Sequence, residues 1–94
     1  MVNLYFQLIH YVEIIKIAVN SVEAIQDVNL LITFCGGERR CFDIRPFFHY
    51  PVFRRLENPI FFSLAKVDYG TVIWPGDIDI APETLYEYSV PLKE

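Results

Sequence analysis

The stretch Val67–Tyr86, VDYGTVIWPGDIDIAPETLY, leaves the backbone few choices and constrains the rest of the fold. It reads as strand, tight turn, strand, loop and helix start. Tyr69-Gly70 is a turn signal, because glycine tolerates the positive φ that hairpin turns need. Thr71, Val72, Ile73 and Trp74 are strand formers, and Pro75-Gly76 breaks the strand after them. Pro82 stands where a first helical residue belongs, since its missing N–H is not needed there. Glu83 then lies in the first turn, where a negative charge suits the helix dipole.

The remaining elements are read around this block. Ile14–Ile25 is apolar and β-branched and is read mostly as strand, with a bend at Asn20-Ser21 and a turn at Asp27-Val28-Asn29. Leu30–Phe34, the Gly36-Gly37 pair and Arg39–Ile44 form a hairpin signature. A two-residue Gly-Gly loop would pair Phe34 with Arg39 and Ile32 with Cys41, and would put Leu30, Ile32 and Phe34 on one core face together with Arg39. Pro46 ends that strand. Val52, Phe53 and Leu56 have helix-like spacing over one turn. Asn58-Pro59 predicts a capped helix of no more than about two turns, packed through Ile60, Phe61 and Leu64. Residues 1–13 stand apart as an N-terminal extension or a cloning remnant, because Asn3–Gln7 looks like a viral-protease cleavage tag. Leu4, Leu8, Tyr11, Val12 and Ile15 share a helical face, while Tyr5 and Phe6 also suit a strand. Residues 14–94 make a single α+β domain, a small, mostly antiparallel sheet built from hairpins with one or two short helices.

Composition bears on partners. Apolar residues are 53% of the 94-residue chain and aromatics 16%, more than a core of this size hides easily. A leftover apolar patch, and with it a protein partner or a self-contact, is expected. No apolar run approaches the ~18–20 residues of a membrane span, and the N-terminus lacks the features of a signal peptide. A cytoplasmic protein away from the membrane is therefore expected. The net charge of −4 argues against bulk nucleic-acid binding, yet it is unevenly spread: residues 38–66 carry +3 and residues 67–94 carry −5. Such a split allows head-to-tail pairing of copies or two faces of different sign.

The ordered set Leu30–Phe34, Gly37, Phe42-Asp43-Ile44, Pro46, Val52-Phe53, Leu56, Pro59, Phe61, Val67, Gly70, Ile73-Trp74-Pro75, Asp79 and Pro82–Tyr86 resembles the domain of unknown function family 2442. The resemblance runs from about Ile15 to Val90 and is carried most specifically by the Trp-Pro … Asp-x-x-Pro-x-Thr-Leu-Tyr ending. It implies a small bacterial α+β domain with an antiparallel sheet. It further implies proteins that stand alone or are fused to a helix-turn-helix. Many are encoded beside another small protein, in an arrangement like a toxin–antitoxin pair. It implies no catalytic residues. The chain departs from the pattern at Arg39, where an apolar residue is usual, at Ala81, where a capping Asp is common, and over residues 1–13. No helix-turn-helix follows Glu94, so DNA binding by that route is not expected.

Each chemistry-bearing residue has a plainer alternative. Cys35 and Cys41 are not opposite one another in the expected register, so no disulfide is expected. With His10 and His49 remote from them, no metal site is expected either. His49 sits among Phe47, Phe48 and Tyr50, as a partly buried loop histidine or as a general base lacking an identified carboxylate. Asp77 and Asp79 are a carboxylate pair if they share a strand face, or loop and capping residues. Arg39, Arg40, Arg54 and Arg55 interleave with Phe47, Phe48, Tyr50 and Phe53, a mixture that suits single-stranded nucleic acid or an acidic protein surface. It equally fits core aromatics beside solvated arginines. Trp74 is either core or an interface anchor beside Pro75.

The sequence favours a non-catalytic binding protein without cofactors, the antitoxin-like partner of a neighbouring small protein. Two other readings stand beside it: a nucleic-acid-binding regulator using the arginines, and a small-molecule-binding or enzymatic domain around His49 and Asp79. A homodimer is expected from the aromatic excess and the split charge; Arg39, on the core face in this register, either lies at the sheet rim with its head in water or reaches a carboxylate of a second copy.

Overall fold

The computed structural model describes residues 16–92; the readings made for residues 1–13, and for His10, lie outside them. The described chain is α+β, with two antiparallel sheets rather than one and a few short helices. Strand β1 (Val19–Ile25), β2 (Asn29–Phe34), β3 (Arg39–Asp43) and, far along the chain, β7 (Val90–Pro91) form the first sheet in the order β1-β2-β3-β7. Strands β4 (Lys66–Asp68), β5 (Thr71–Trp74) and β6 (Ile78–Ile80) form the second. The helices are α1 (Pro59–Phe62) and α2 (Pro82–Glu87), and 3₁₀ turns cover Arg45–Phe47 and Pro51–Glu57.

Among the described residues, the strand expected over Ile14–Ile25 begins at Val19. Before it, backbone groups are used across the hairpin tip: Gly36 N–H bonds the Lys16 carbonyl and Cys35 N–H the Ala18 carbonyl, at 3.0 and 2.7 Å. The bend at Asn20-Ser21 is a register break between Val19 and Ser21. Val19 also joins the sheets, donating its N–H to the Gly70 carbonyl at 2.8 Å. Gln26–Val28 make the next turn, with Asp27 and Val28 both at positive φ.

The β2–β3 register differs from expectation by one residue. Thr33 pairs with Arg39, Ile32 with Arg40 and Leu31 with Cys41. The Gly-Gly pair does not form a two-residue loop. Phe34 is bonded to Glu38, and Gly37 N–H returns to the Phe34 carbonyl at 2.8 Å. Cys35, Gly36 and Gly37 therefore make a three-residue loop, with Gly37 at φ +93 supplying the left-handed residue of a bulge. Leu30, Ile32 and Phe34 face the core as expected, at 0%, 0% and 1% exposure. The arginine on that side, however, is Arg40 and not Arg39, because a one-residue slip exchanges the faces.

Local signals fare better elsewhere. Asp68 pairs with Thr71 across Tyr69-Gly70, both at positive φ, a primed two-residue turn. The Asn58 side chain accepts from Ile60 N–H and Phe61 N–H at 2.9 and 3.3 Å, starting the four-residue α1. Phe61 packs half-buried against the core as expected, and Phe62 beside it is buried; Ile60 and Leu64 are exposed, contrary to expectation, because one turn of helix has no room for a periodic face. In the 3₁₀ turn, Phe53 and Leu56 align at a spacing of three while Val52 points outward. Past Trp74, the stretch read as loop contains β6, whose Ile78 and Ile80 are buried around an exposed Asp79. Pro82 opens α2 as expected, without a side-chain cap from Ala81.

The core draws Phe42 from the first sheet and Ile44 from just past β3, Val72, Trp74, Ile78 and Ile80 from the second sheet, and Leu56, Phe62 and Leu85 from the helical segments. Trp74 is 1% exposed, and its indole N–H is satisfied by the Phe62 carbonyl at 2.9 Å. It belongs to the core, and the interface-anchor alternative is corrected on that ground. A buried indole with a partner for its polar edge stabilises strongly through area alone.

Candidate interaction surface

Prolines 46 and 51 cannot continue β3 or an α-helix, so Arg45–Glu57 follows short 3₁₀ turns. These turns set Phe47, Tyr50 and Phe53 on one side. Phe47 is the hub. Its ring lies 5.4 Å from Phe42 in the core, 6.4 Å from Tyr50, 6.4 Å from Phe53 and 5.6 Å from Tyr88. The Tyr88 ring meets it edge-on, at 86°. Such edge and offset contacts each add to the burial term. The two tyrosines are left open to solvent, Tyr50 at 48% and Tyr88 at 63% exposure. With Asp43, Pro46, Phe47 and His49 they line a concavity of about 290 Å³. The His49 ring rests on Tyr50 at 4.0 Å.

Two polar groups hold this surface in place. Asp43 accepts from Arg45 N–H at 2.9 Å and grips the Arg45 guanidinium at 2.7–3.1 Å, which turns the chain out of β3. The Arg45 hydrogen bonds hold the Asp43 carboxyl below its ordinary range. The second is Arg40. Its Nε donates to Ser89 Oγ and its Nη2 to the Ser89 carbonyl, both at 2.7 Å. Its Nη1 meets Glu38 at 2.7 Å, and its guanidinium lies 4.4 Å over the Tyr86 ring. The Tyr86 hydroxyl donates to the same Glu38 carboxylate at 2.7 Å. Arg40 thus fixes residues 86 and 89 on either side of the end of α2, and so places Tyr88.

Of the residues expected to interact, the surface brings together Phe47 and Tyr50, and His49, read as a loop histidine or a general base, lies beside them. Phe48 packs half-buried on the core. The arginines do not gather around these rings. Arg40 is in the Glu38–Tyr86–Ser89 cluster, its side chain 12% exposed. Arg39 is exposed opposite Thr33. Arg55 lies 4.3 Å over Phe61, and Arg54 is exposed. His49 and Asp79 are not in one site: Asp79, with Asp77, Lys66 and Tyr69, lines another concavity of about 460 Å³. Asp77 sits in the turn at φ 61, not on a strand face with Asp79. The sequence reading missed Asp43, Pro46 and above all Tyr88, whose only signal was an aromatic residue after the predicted helix.

Among the described residues, no three of His, Cys, Asp and Glu are grouped to hold a metal ion, and no helix is long and apolar enough to cross a membrane. Both cysteines are free thiols, Cys35 exposed in the hairpin loop and Cys41 half-buried beside Asn29. No curated protein and no solved structure matches the chain. The model of one family, described as protein of unknown function (DUF2442), matches residues 19–91, from the first residue of β1 to the last of β7, and the chain belongs to that family.

Proposed function

We propose that the chain is a small non-catalytic binding protein of the cytoplasm that docks a protein partner on the Phe47–Tyr50–Tyr88 surface. In this reading it is the antitoxin-like member of a pair whose other member is encoded beside it. The observation that carries the reading is the pairing of two solvent-open tyrosines on a half-buried phenylalanine. Tyrosines of this kind give large contact area at little conformational cost, and such residues dominate binding energy at interfaces. The rings are already braced by the core and by Arg40, so little ordering is left to be done on binding. Arg39 is exposed opposite Thr33 and does not call for a carboxylate from a second copy; self-association through the tyrosines is the form a dimer would take.

The test is the affinity of the purified chain for the product of the adjacent gene. Tyr50→Ala with Tyr88→Ala should weaken it at least about tenfold, the loss of a hot-spot pair. Tyr69→Ala, at the other concavity, should leave it unchanged. Equal affinities for all variants, or no complex at all, would contradict the proposal.

A further inference from the structure

We infer that the concavity between Phe47, Tyr50 and Tyr88 receives an uncharged, proline-rich segment of the docked partner, held in the extended polyproline II conformation. The inference rests on the reading of this surface as a protein-docking site. Charge narrows the occupant first. The carboxylate that lines the concavity, Asp43, is gripped by Arg45 at 2.7–3.1 Å, and these contacts take up its acceptor sites. Other arginines are engaged away from the rings, Arg40 with Glu38 and Arg55 over Phe61. The rest of the lining is Pro46, His49 and the three rings, with His49 resting on Tyr50. A charged occupant would shed its hydration here and find no unpaired counter-charge, so the complement of this lining is a neutral segment.

Shape narrows it further. Tyr50 lies at 30° and Tyr88 at 86° to Phe47, so the rings form a notch rather than a flat stack. The notch, about 290 Å³, is small for a whole ligand molecule, whose pockets run to ~300–1,000 Å³. An amphipathic helix docks through a longer row of anchors, at i, i+3, i+4 and i+7. An added strand needs an open sheet edge, and the edge that follows Tyr88 is β7, where Pro91 has no N–H to give. A polyproline II segment fits what is left. Its rings are compact and rigid, and the weakly positive C–H groups beside the amide nitrogen suit the negative faces of aromatic rings. Its backbone makes no internal hydrogen bonds, so its carbonyls can accept from the hydroxyls of the solvent-open Tyr50 and Tyr88. The conformation exists before binding, so little entropy is lost.

The test uses the free chain, so that it does not depend on the partner. The capped peptide Ser-Pro-Pro-Ser-Pro-Pro-Ser is titrated while the tyrosine ring resonances are followed by NMR. The same peptide with valine for each proline is the apolar control. The proline peptide should shift Tyr50 and Tyr88 saturably, equally at low and high salt, and the valine peptide should not. Tyr50→Ala and Tyr88→Ala should each weaken binding at least about tenfold. Tyr88→Phe, which keeps the ring and removes one donor, should weaken it less than Tyr88→Ala. An equal response to the valine peptide would make this an apolar groove only and overturn the inference. No saturable shift up to the solubility limit, or a response confined to Tyr69, would also overturn it. Because partner affinity is measured separately, docking without proline recognition is distinguishable from no docking.

Discussion

Arg40 reaches Ser89 twice, from Nε to the hydroxyl and from Nη2 to the carbonyl, each at 2.7 Å and across 49 residues of sequence. This contact ties the first hairpin to the last turn of the chain. β7 adds only two residues to the edge of β3, too few to hold the C-terminal segment by ladder bonds alone. The guanidinium, with Glu38 and Tyr86, supplies the remaining restraint and sets the position of Tyr88 on the aromatic surface.

Arg40→Ala should therefore destabilise the protein by about 2–3 kcal/mol, the cost of breaking a largely buried, charge-assisted set of bonds whose carboxylate is still partly solvated. Arg39→Ala should cost less. Urea unfolding followed by circular dichroism decides between them. The reverse order would restore the register in which Arg39 faces the core.

Stability should fall on acidification partly through Glu38. The Tyr86 hydroxyl, then Arg40, hold its carboxyl below the ordinary value. A group whose folded value is depressed contributes stability above its unfolded value and loses it as pH falls through the folded value. Unfolding curves at several acidic pH values should show a shallower acid limb for Glu38→Gln than for the parent chain. Identical slopes would mean that Glu38 is not protected in the folded state.

Gly37 has open space where a Cβ would sit, so a substitution there tests conformation alone. At φ +93 an L-residue is strained, and Gly37→Ala should cost about 1–2 kcal/mol. Gly37→Asn should cost less, since Asn visits this region more readily. Thermal melts of the two variants give the order. No loss in Gly37→Ala would contradict the three-residue loop.

The two thiols should differ in rate. Cys35 is exposed in the loop. Burial, and then the nearby Asp43 charge, push the Cys41 thiol up from its ordinary value. Since the thiolate is the nucleophile, a disulfide reagent at neutral pH should modify Cys35 first. Single Cys→Ser variants assign the phases, and a faster Cys41 would contradict its placement.

What could be read from the sequence was what neighbouring residues decide. Asn58-Pro59 and Tyr69-Gly70 specify a cap and a turn within a few residues, and both formed as read. Gly36-Gly37 fits two loop lengths, and the choice depends on a bulge that no local signal marks; one residue of error then moved the wrong arginine to the core face. Strands β6 and β7, of three and two residues, owe their existence to partners found by folding. The aromatic surface was half legible. Phe47, His49 and Tyr50 are a run, but Tyr88 joins them from the far end of the chain, beside the Ser89 that Arg40 holds.

The most direct measurement of the docking surface is an NMR map of the complex. The ¹⁵N-labelled chain is titrated with the unlabelled product of the adjacent gene. Amide shifts should cluster at residues 43–53 and 86–90, the two segments that meet at Phe47 and Tyr88. Shifts centred instead on Lys66, Tyr69 and Asp77–Asp79, or no shifts at all, would contradict the account.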